Sequence, residues 1–228
     1  MIDIQGKWAL VTGASRGVGE QIARALADKG VNLILHSRST EHTHDLREEL
    51  NNMVKVHELA ADLANPEAAI ELAKRAEKIS GGIDILYNNA AISVPWREDY
   101  AAPIEEYQKV FNVNVISLIK ICDVIMPEMR KRGFGRIINL TSGIEDQPEL
   151  TPYAISKAAV DKYVKDFAIK LEGANVLMNL LDPGWLRTDL GGQQAPNSPE
   201  TVIPGALVPA LLEKEEGSGK LYRAQDYS

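Results

Sequence analysis

Short runs of hydrophobic residues alternate along the chain with longer segments in which hydrophobic residues recur every three or four positions. The short runs are typical of buried β-strands and the longer segments of amphipathic helices. The predicted strands are residues 8–11, 32–35, 54–59, 83–87, 136–140 and 176–181, and the predicted helices are residues 19–29, 43–51, 66–79, 103–132 and 152–171. Because strands and helices alternate, we expect a doubly wound α/β fold, a parallel sheet with helices on both faces.

The segment 189–204 is the part of the chain richest in loop-forming residues, with Gly191, Gly192 and three prolines. Within it, Ser198-Pro199-Glu200 predicts a short helix with Ser198 as its N-cap. Flanking glycines would let this helix move as a lid over a substrate. We expect residues 1–228 to form a single domain of which the lid is a small part.

The composition is that of an ordinary soluble protein, with 45% hydrophobic and 25% charged residues. Lys and Arg total 25 against 32 Asp and Glu, and the net charge of −7 disfavours binding to nucleic acid. The single cysteine, Cys122, cannot form an intrachain disulfide, which is typical of a reducing compartment. Neither a secretory leader nor an apolar stretch of about 18 residues is visible. We therefore expect a cytoplasmic protein with no membrane or nucleic-acid partner.

A glycine-rich turn, Thr12-Gly13-Ala14-Ser15-Arg16-Gly17-Val18-Gly19, stands between the first predicted strand and the first predicted helix. Glycines there permit a tight turn and let a pyrophosphate approach the backbone, while the helix N-terminus attracts the phosphate charge. The spacing is GxxxGxG, which matches the general dinucleotide fingerprint GxGxxG in kind only. The turn therefore predicts a dinucleotide site in a Rossmann-type fold, with a tight structural turn as the alternative.

The end of the second predicted strand bears on the choice of cofactor. An NAD site places Asp or Glu there, about 20 residues after the turn, to bind the ribose 2′-hydroxyl. This chain has His36-Ser37-Arg38 instead, without a carboxylate. Arg16 and Arg38 are placed to bracket a 2′-phosphate, so NADP(H) is favoured over NAD(H). Two solvated surface arginines are the alternative.

Further motifs follow in the order in which one enzyme family carries them. They are Asp62-Leu63, Asn88-Asn89-Ala90, Asn114, Ser142, Tyr153-x-x-x-Lys157 and Pro183-Gly184. Together with the glycine turn, they make the chain from Gly6 to Thr188 resemble the short-chain dehydrogenase/reductase family. The resemblance implies an NAD(P)-dependent oxidoreductase that transfers hydride between a nicotinamide and a carbonyl or alcohol substrate.

The resemblance also implies catalytic roles. Tyr153 would be the acid/base, Lys157 would assist it and hold the nicotinamide ribose, Ser142 would bind the substrate oxygen, and Asn114 would bind a water on the proton path. Tyr153 and Lys157 are four residues apart, so on a helix they share one face. An ammonium and an oxidised nicotinamide nearby both favour the phenolate and would lower the tyrosine pKa. For Asn114, an amide satisfied within the core is the alternative.

The cofactor site implied by the resemblance is made of the glycine turn and of residues that follow predicted strands, where ligands bind in open α/β sheets. Its members are Gly13, Ser15, Arg16, Gly17, Val18, Gly19, Arg38, Asp62, Leu63, Asn89, Ala90, Tyr153, Lys157, Pro183, Gly184, Leu186 and Thr188.

The chain departs from the family pattern at several places. Ala91 stands where the family usually has Gly after Asn-Asn-Ala, and Asp182 stands where Asn commonly precedes Pro-Gly, a change that we expect to be tolerated. Ser142 and Tyr153 are closer together than is common. The C-terminal part resembles the carbonyl-reductase branch rather than the tetrameric members, so a homo-oligomer is possible but a tetramer is in doubt.

The candidate pocket residues are apolar with a few amides and hydroxyls, which favours a neutral ketone or aldehyde. They are Ser93, Val94, Trp96, Ile144, Gln147, Leu150 and Trp185. His42 and His44 have no partners at ligand spacing and read as surface residues, so we expect no metal. Two alternatives stay open: a non-catalytic NADP(H)-sensing regulator of the same fold, and an S-adenosylmethionine methyltransferase. The sequence leaves the physiological substrate, reaction direction and subunit number undetermined.

Overall fold

The computed structural model describes residues 1–99 and 101–227, and its centre is one sheet of parallel strands. The strands are β1 (Trp8–Thr12), β2 (Asn32–Ser37), β3 (Val56–Ala60), β4 (Ile85–Asn88), β5 (Gly135–Leu140), β6 (Val176–Asp182) and β7 (Leu221–Arg223). Their order across the sheet is β3-β2-β1-β4-β5-β6-β7, and every neighbouring pair is parallel. The doubly wound α/β fold expected from the sequence is confirmed.

Helices cover both faces of the sheet. They are α1 (Gly17–Asp28), α2 (His44–Leu50), α3 (Pro66–Ser80), α4 (Ile104–Phe111), α5 (Ser117–Arg132) and α6 (Thr151–Ala168), with short 3₁₀ turns between several elements. Side chains of one strand alternate between two cores. Ala9 and Val11 pack with α1 and α2, whereas Leu10 packs with α3, α5 and α6. This alternation explains why the strands read as continuous hydrophobic runs.

The topology positions the site. From β1 the chain builds outward through β2 to β3, then crosses to the other side of β1 to form β4. The loops after β1 and β4 therefore leave the sheet in opposite directions and open a crevice at the carboxyl ends of the strands. All six predicted strands end at this edge, so the residues that follow them are gathered there.

The structure corrects the prediction in two elements. The long helix predicted over 103–132 contains five residues of π-helix, Asn112–Ile116, which we call the π segment and which joins α4 to α5. Strand β7 was not predicted. It has three residues, of which only Tyr222 is buried, and so short an edge strand gives almost no hydrophobic pattern.

The predicted lid is anchored rather than free. Pro199–Val202 forms one 3₁₀ turn, and Ser198 precedes it with extended backbone but no capping hydrogen bond from its side chain. Ala195 and Val202 are buried in the core that contains α1. The Arg187 guanidinium donates to the Ala195 carbonyl at 3.1 Å. Segment 189–204 is therefore held to the body of the protein at Ala195 and Val202, whereas residues 192–194 are exposed, and movement as a lid stays a prediction.

Ile104–Arg132 is long and apolar enough to cross a membrane by length and composition, with a mean hydropathy of 1.6 in its most apolar window. The expectation that no stretch approaches this length is wrong by that measure. Half of the window is buried inside the fold, where α5 packs on α3 and on the sheet. The same apolar character is thus that of a core helix.

The hydrogen bond made by the phenol of Tyr87 is expected to stabilise the fold. Tyr87 is buried in β4, and its hydroxyl donates to the Ala206 carbonyl at 2.8 Å, which joins the sheet to the C-terminal part of the chain. Tyr87→Phe leaves that carbonyl without its donor and should lower the free energy of unfolding by about 1 to 2 kcal/mol in urea denaturation. The matched control is Tyr227→Phe at an exposed phenol, which should leave stability unchanged. Equal stability of both variants would contradict the anchoring role.

Candidate active site

Tyr153 and Lys157 lie on one face of α6, directly over the carboxyl end of β5. Both side chains are buried, at 7% and 4% exposure. The Lys157 Nζ lies 5.7 Å from the centroid of the Tyr153 ring and donates to the Leu140 carbonyl at 2.9 Å. Pro152 in the first turn of α6 has the backbone angle that a helix start needs. The sequence spacing therefore gives the paired phenol and amine that it predicts.

Ser142 completes this group. It follows β5 by two residues, and its hydroxyl accepts the Ile144 N–H at 3.2 Å. It also faces the Tyr153 phenol, whose pKa it lowers. The structure thus brings Ser142, Tyr153 and Lys157 together at one point of the crevice, as the sequence predicts.

Burial dominates the protonation of this group. Burial raises the pKa of the Tyr153 phenol, the Asp182 carboxylate raises it further, and the hydrogen bond with Ser142 opposes both. Burial lowers the pKa of Lys157 to about 8, while the carboxylates of Asp161 and Asp182 counteract this. Among the described residues, Ser142 is the group that lowers the tyrosine pKa, and the net shift is upward, opposite to the lowering that the sequence predicts. At neutral pH the protein therefore holds a phenol and an ammonium.

Asn114 lies in the π segment and is 1% exposed. Its Oδ1 accepts the Ile92 N–H at 2.9 Å, and its Nδ2 donates to the Ile92 carbonyl at 2.9 Å and to Ser156 Oγ at 3.0 Å. Both amide hydrogens are used, so the side chain ties the loop after β4 to α6. These contacts match the alternative interpretation of Asn114, an amide whose hydrogen bonds are satisfied within the core. The π segment is the kind of irregularity that concentrates at functional sites, and the water-binding role stays a prediction.

The glycine turn between β1 and α1 is shaped by close approaches of the backbone. Gly13 and Gly17 have φ of +66° and +56°, the left-handed region that favours glycine. A Cβ at Gly19 would lie 2.3 Å from the Gly13 carbonyl oxygen. A Cβ at Gly17 would approach the Thr188 methyl at 3.1 Å. The turn is thus a side-chain-free cradle at the N-terminus of α1, which fits a pyrophosphate.

Two side chains from neighbouring strands support this turn. The Asn89 amide, after β4, donates to the carbonyls of Thr12 and Gly13 at 2.8 and 3.0 Å. His36 in β2 accepts the Gly13 N–H at Nδ1, 3.2 Å away, and its Nε2 faces the Ala61 carbonyl at 3.1 Å. Those partners assign the proton of the ring to Nε2. Burial lowers the pKa of His36 to about 4, so the ring is neutral.

His36 is a functional-site residue that the sequence analysis missed. From the sequence it is only one residue of a strand end that lacks a carboxylate. The structure shows that it joins the glycine turn to the loop that carries Asp62. A histidine inside an otherwise apolar strand was the available signal.

The two arginines expected to bracket a phosphate have different surroundings. Arg16 forms an ion pair with Asp189 at 3.0 Å, and both side chains are about two-thirds exposed, at 66% and 70%. Arg38 lies exposed after the end of β2. In the absence of a ligand, Arg16 is thus paired with Asp189, and its bracketing of a 2′-phosphate together with Arg38 stays a prediction. An exposed pair contributes about 0–1 kcal/mol, so Arg16 can exchange this partner for a phosphate at little cost.

The other predicted cofactor residues lie at the same edge of the sheet. Each follows the carboxyl end of a strand or opens α1: Ser15, Val18, Asp62, Leu63, Ala90, Pro183, Gly184, Leu186 and Thr188. Several are fixed by the backbone. Asp62 Oδ1 accepts the Ala64 N–H at 2.9 Å, and Ala90 N–H donates to Thr12 Oγ1 at 3.0 Å. Leu186 is an exception, because its side chain is buried in the core and only its backbone is left for a ligand.

The rim of the crevice carries exposed aromatic side chains. Trp96 and Trp185 are 57% and 58% exposed. The Trp185 indole N–H donates to the Gly191 carbonyl at 2.7 Å, which fixes the ring against segment 189–204. Arg97, beside Trp96, forms an ion pair with Glu106 of α4, so its charge is matched within the protein.

The family model of short chain dehydrogenases matches residues 7–199. Oxidoreductase UcpA of Salmonella typhimurium is 35% identical over 213 residues, 88% of this chain and 78% of the relative. The 3-oxoacyl-[acyl-carrier-protein] reductase FabG of Vibrio cholerae is 32% identical over 213 residues, 92% and 84% of the two chains. The structure resembles a short chain dehydrogenase from Burkholderia cenocepacia in complex with NADP, with a TM-score of 0.87 at 25% identity, covering 97% of each chain.

Because the His36 imidazole is buried and neutral, we expect the free energy of unfolding to depend on pH. The pKa of His36 is about 4 in the folded protein against an ordinary 6.5, so its contribution to stability is complete above pH 6.5 and is lost as pH falls towards 4. At pH 4.5 the loss should be about 2 to 3 kcal/mol, since one pKa unit corresponds to about 1.4 kcal/mol. Urea denaturation at pH 7 and 4.5 measures it.

The variant His36→Gln should lose this part of the pH dependence. His44→Gln, at an exposed histidine, is the matched control and should behave as the parent protein. If His36→Gln and the parent lose the same stability on acidification, the buried neutral imidazole is not the cause.

Proposed function

The chain belongs to the short-chain dehydrogenase family and is an NAD(P)-dependent oxidoreductase, and from that premise we propose that it reduces a ketone or an aldehyde with NADPH. The observation that carries the proposal is the convergence of Ser142, Tyr153 and Lys157 at the sheet edge that also bears the glycine turn. The non-catalytic NADP(H) sensor is not favoured, because the relatives named here are oxidoreductases and this chain keeps the acid/base pair. We keep a cytoplasmic location and a possible homo-oligomer as predictions.

The residues at this edge fit a dinucleotide. The cradle of Gly13, Gly17 and Gly19 admits a pyrophosphate where any Cβ would intrude. Asp62 and Leu63 would hold the adenine end. The residues that would hold the ribose and nicotinamide end are Asn89, Ala90, Lys157, Pro183, Gly184, Leu186 and Thr188. When bound, the reduced nicotinamide supplies the hydride that the carbonyl carbon accepts.

The proton comes from the protein. Ser142 would bind the carbonyl oxygen of the substrate and hold it beside Tyr153, whose phenol donates its proton to that oxygen. A raised pKa suits this role, because the phenol then carries its proton at neutral pH. Lys157, held by the Leu140 carbonyl, keeps a positive charge beneath the ring and stabilises the phenolate left after transfer.

The preference for NADPH rests on the end of β2. No carboxylate stands there to bind a ribose 2′-hydroxyl, and Arg38 is exposed in its place. Arg16 can join it by leaving Asp189. The similar short chain dehydrogenase from Burkholderia cenocepacia was crystallised with NADP, which supports the proposal.

A neutral ketone or aldehyde is the proposed substrate class. The crevice wall combines partly buried Ile144 and Leu150 with the exposed rings of Trp96 and Trp185. These are surfaces that favour apolar groups. Arg97 adds no free charge, because it is paired with Glu106.

The variant Tyr153→Phe tests the acid/base role. Removing the hydroxyl should lower kcat for NADPH-dependent reduction of a panel of small ketones and aldehydes at least about a hundredfold, the usual size of a general-acid effect. NADPH binding, measured by fluorescence titration, should be retained because the ring still packs. The control is Tyr163→Phe on the same helix, where the phenol faces Cys122 in the core. Activity of Tyr153→Phe within tenfold of the parent would contradict the proposal.

The variant Arg38→Asp tests the choice of cofactor. Reversing this charge should lower the ratio of kcat/KM for NADPH to that for NADH at least about tenfold, the equivalent of 1.4 kcal/mol. Arg16→Gln should lower it less, because Arg16 must first leave Asp189. Arg75→Asp makes the same charge change at an exposed site on α3 and should leave the ratio alone. An unchanged ratio in Arg38→Asp would show that Arg38 does not read the 2′-phosphate.

A further inference from the structure

Asp182 is a buried carboxylate beside the candidate active site that the catalytic roles above do not use. It is the last residue of β6 and is 9% exposed. Its Oδ1 accepts the Gly184 N–H at 2.9 Å. Its Oδ2 lies 2.9 Å from the position that a Cβ of Gly143 would take, immediately after Ser142. The carboxylate is therefore wedged between the loop after β5 and the loop after β6.

The charged groups around Tyr153 and Lys157 are few. From α6 itself, Asp161 faces Lys157 and accepts a hydrogen bond from the Thr141 hydroxyl. Asp182 follows Leu181 of β6, which pairs with Leu140 of β5, the residue whose carbonyl binds Lys157 Nζ. From this position beside the end of β5, its charge raises the pKa of both Tyr153 and Lys157. Among the described residues, Asp182 is thus the charged side chain that raises the pKa of both the Tyr153 phenol and the Lys157 ammonium.

The other elements packed around the pair contribute neutral groups. The loop after β5 brings the hydroxyls of Thr141 and Ser142, and the π segment brings the amide of Asn114, which is bonded to Ser156 and Ile92. None of these changes charge in the working pH range. Asp182 is therefore the charged side chain among the described residues that raises the pKa of the Tyr153 phenol.

We propose that the negative charge of Asp182 biases this site towards carbonyl reduction by holding Tyr153 as a proton-bearing phenol. The inference rests on the proposed function. Asp182 acts through Tyr153 and is a positioning residue rather than a catalytic one. In the favoured direction, hydride moves from NADPH to the carbonyl carbon and the phenol proton moves to the carbonyl oxygen. The products are an alcohol, NADP⁺ and a phenolate that regains a proton from solvent.

The local structure does not require a charge at this position. An asparagine has the same shape, and its Oδ1 would accept the Gly184 N–H equally well. Asparagine is also the residue that the resemblance leads one to expect before Pro-Gly. What distinguishes Asp182 is therefore its charge, and the substitution Asp182→Asn removes that charge while keeping the turn.

The expected sign follows from Coulomb's law. A carboxylate disfavours a phenolate nearby, so removing it makes the phenol of Tyr153 a stronger acid. In Asp182→Asn, the high-pH limb of kcat/KM for reduction should move down by about one pH unit. Oxidation of the corresponding alcohol with NADP⁺ requires Tyr153 as a phenolate. For the same reason, its rate should rise about tenfold at pH values below the pKa of the phenol.

The experiment measures pH profiles in both directions for the parent, Asp182→Asn and Asp166→Asn. Asp166→Asn removes the same charge from an exposed position on α6, where Asp166 is paired with Lys162. Movement of the limb in Asp182→Asn but not in Asp166→Asn supports the inference. An unmoved limb, or an equal loss of rate at every pH, overturns it, because a merely structural residue would give that result. If Asp182→Asn does not fold, Asp182→Ser is used, since it is uncharged and keeps an acceptor for Gly184.

Tyr153→Phe separates this inference from the proposed function. If that variant keeps the activity and profile of the parent, the acid/base role fails and with it the target of Asp182. If Tyr153→Phe is inactive while Asp182→Asn retains the limb of the parent, only the inference about Asp182 fails.

Discussion

The burial of one ammonium organises the candidate site. Lys157 is 4% exposed, and a charge removed from water is tolerated only where hydrogen bonds and opposite charges replace its hydration. The Leu140 carbonyl supplies the hydrogen bond, and Asp161 and Asp182 supply the charges. These partners come from the end of β5, from α6 and from the end of β6, so satisfying Lys157 also brings together the loop that carries Ser142 and the loop that begins at Pro183-Gly184.

A second constraint is the packing of backbone against backbone at the glycine turn. The turn accepts no side chain at Gly19, and it is held by hydrogen bonds from Asn89 and to His36. Its two supports come from strands on opposite sides of β1. The cofactor cradle and the acid/base group are therefore two ends of one rigid sheet edge, which is what hydride transfer requires of a scaffold.

Two residues have contacts that the family resemblance does not suggest. The Asn114 side chain is fully occupied in joining the loop after β4 to α6, and its position in the π segment brings it there. Arg16 spans the crevice mouth to Asp189. The buried Asn114 contacts fix the loop after β4 to α6, whereas the exposed Arg16 pair joins the glycine turn to segment 189–204 only weakly.

The order of strands and helices, the glycine turn and the pairing of Tyr153 with Lys157 are all predictable from the amino-acid sequence. These are local properties: periodicities of two and 3.6 residues, and a spacing of one helical turn, are written in consecutive residues. The π segment and strand β7 become visible only in the folded protein. The same holds for the contacts of His36 with the glycine turn and for the position of Asp182 next to Gly143, the residue after Ser142. Those depend on contacts between residues far apart in the chain, where direction and distance decide whether a polar group is satisfied, and no local pattern encodes them.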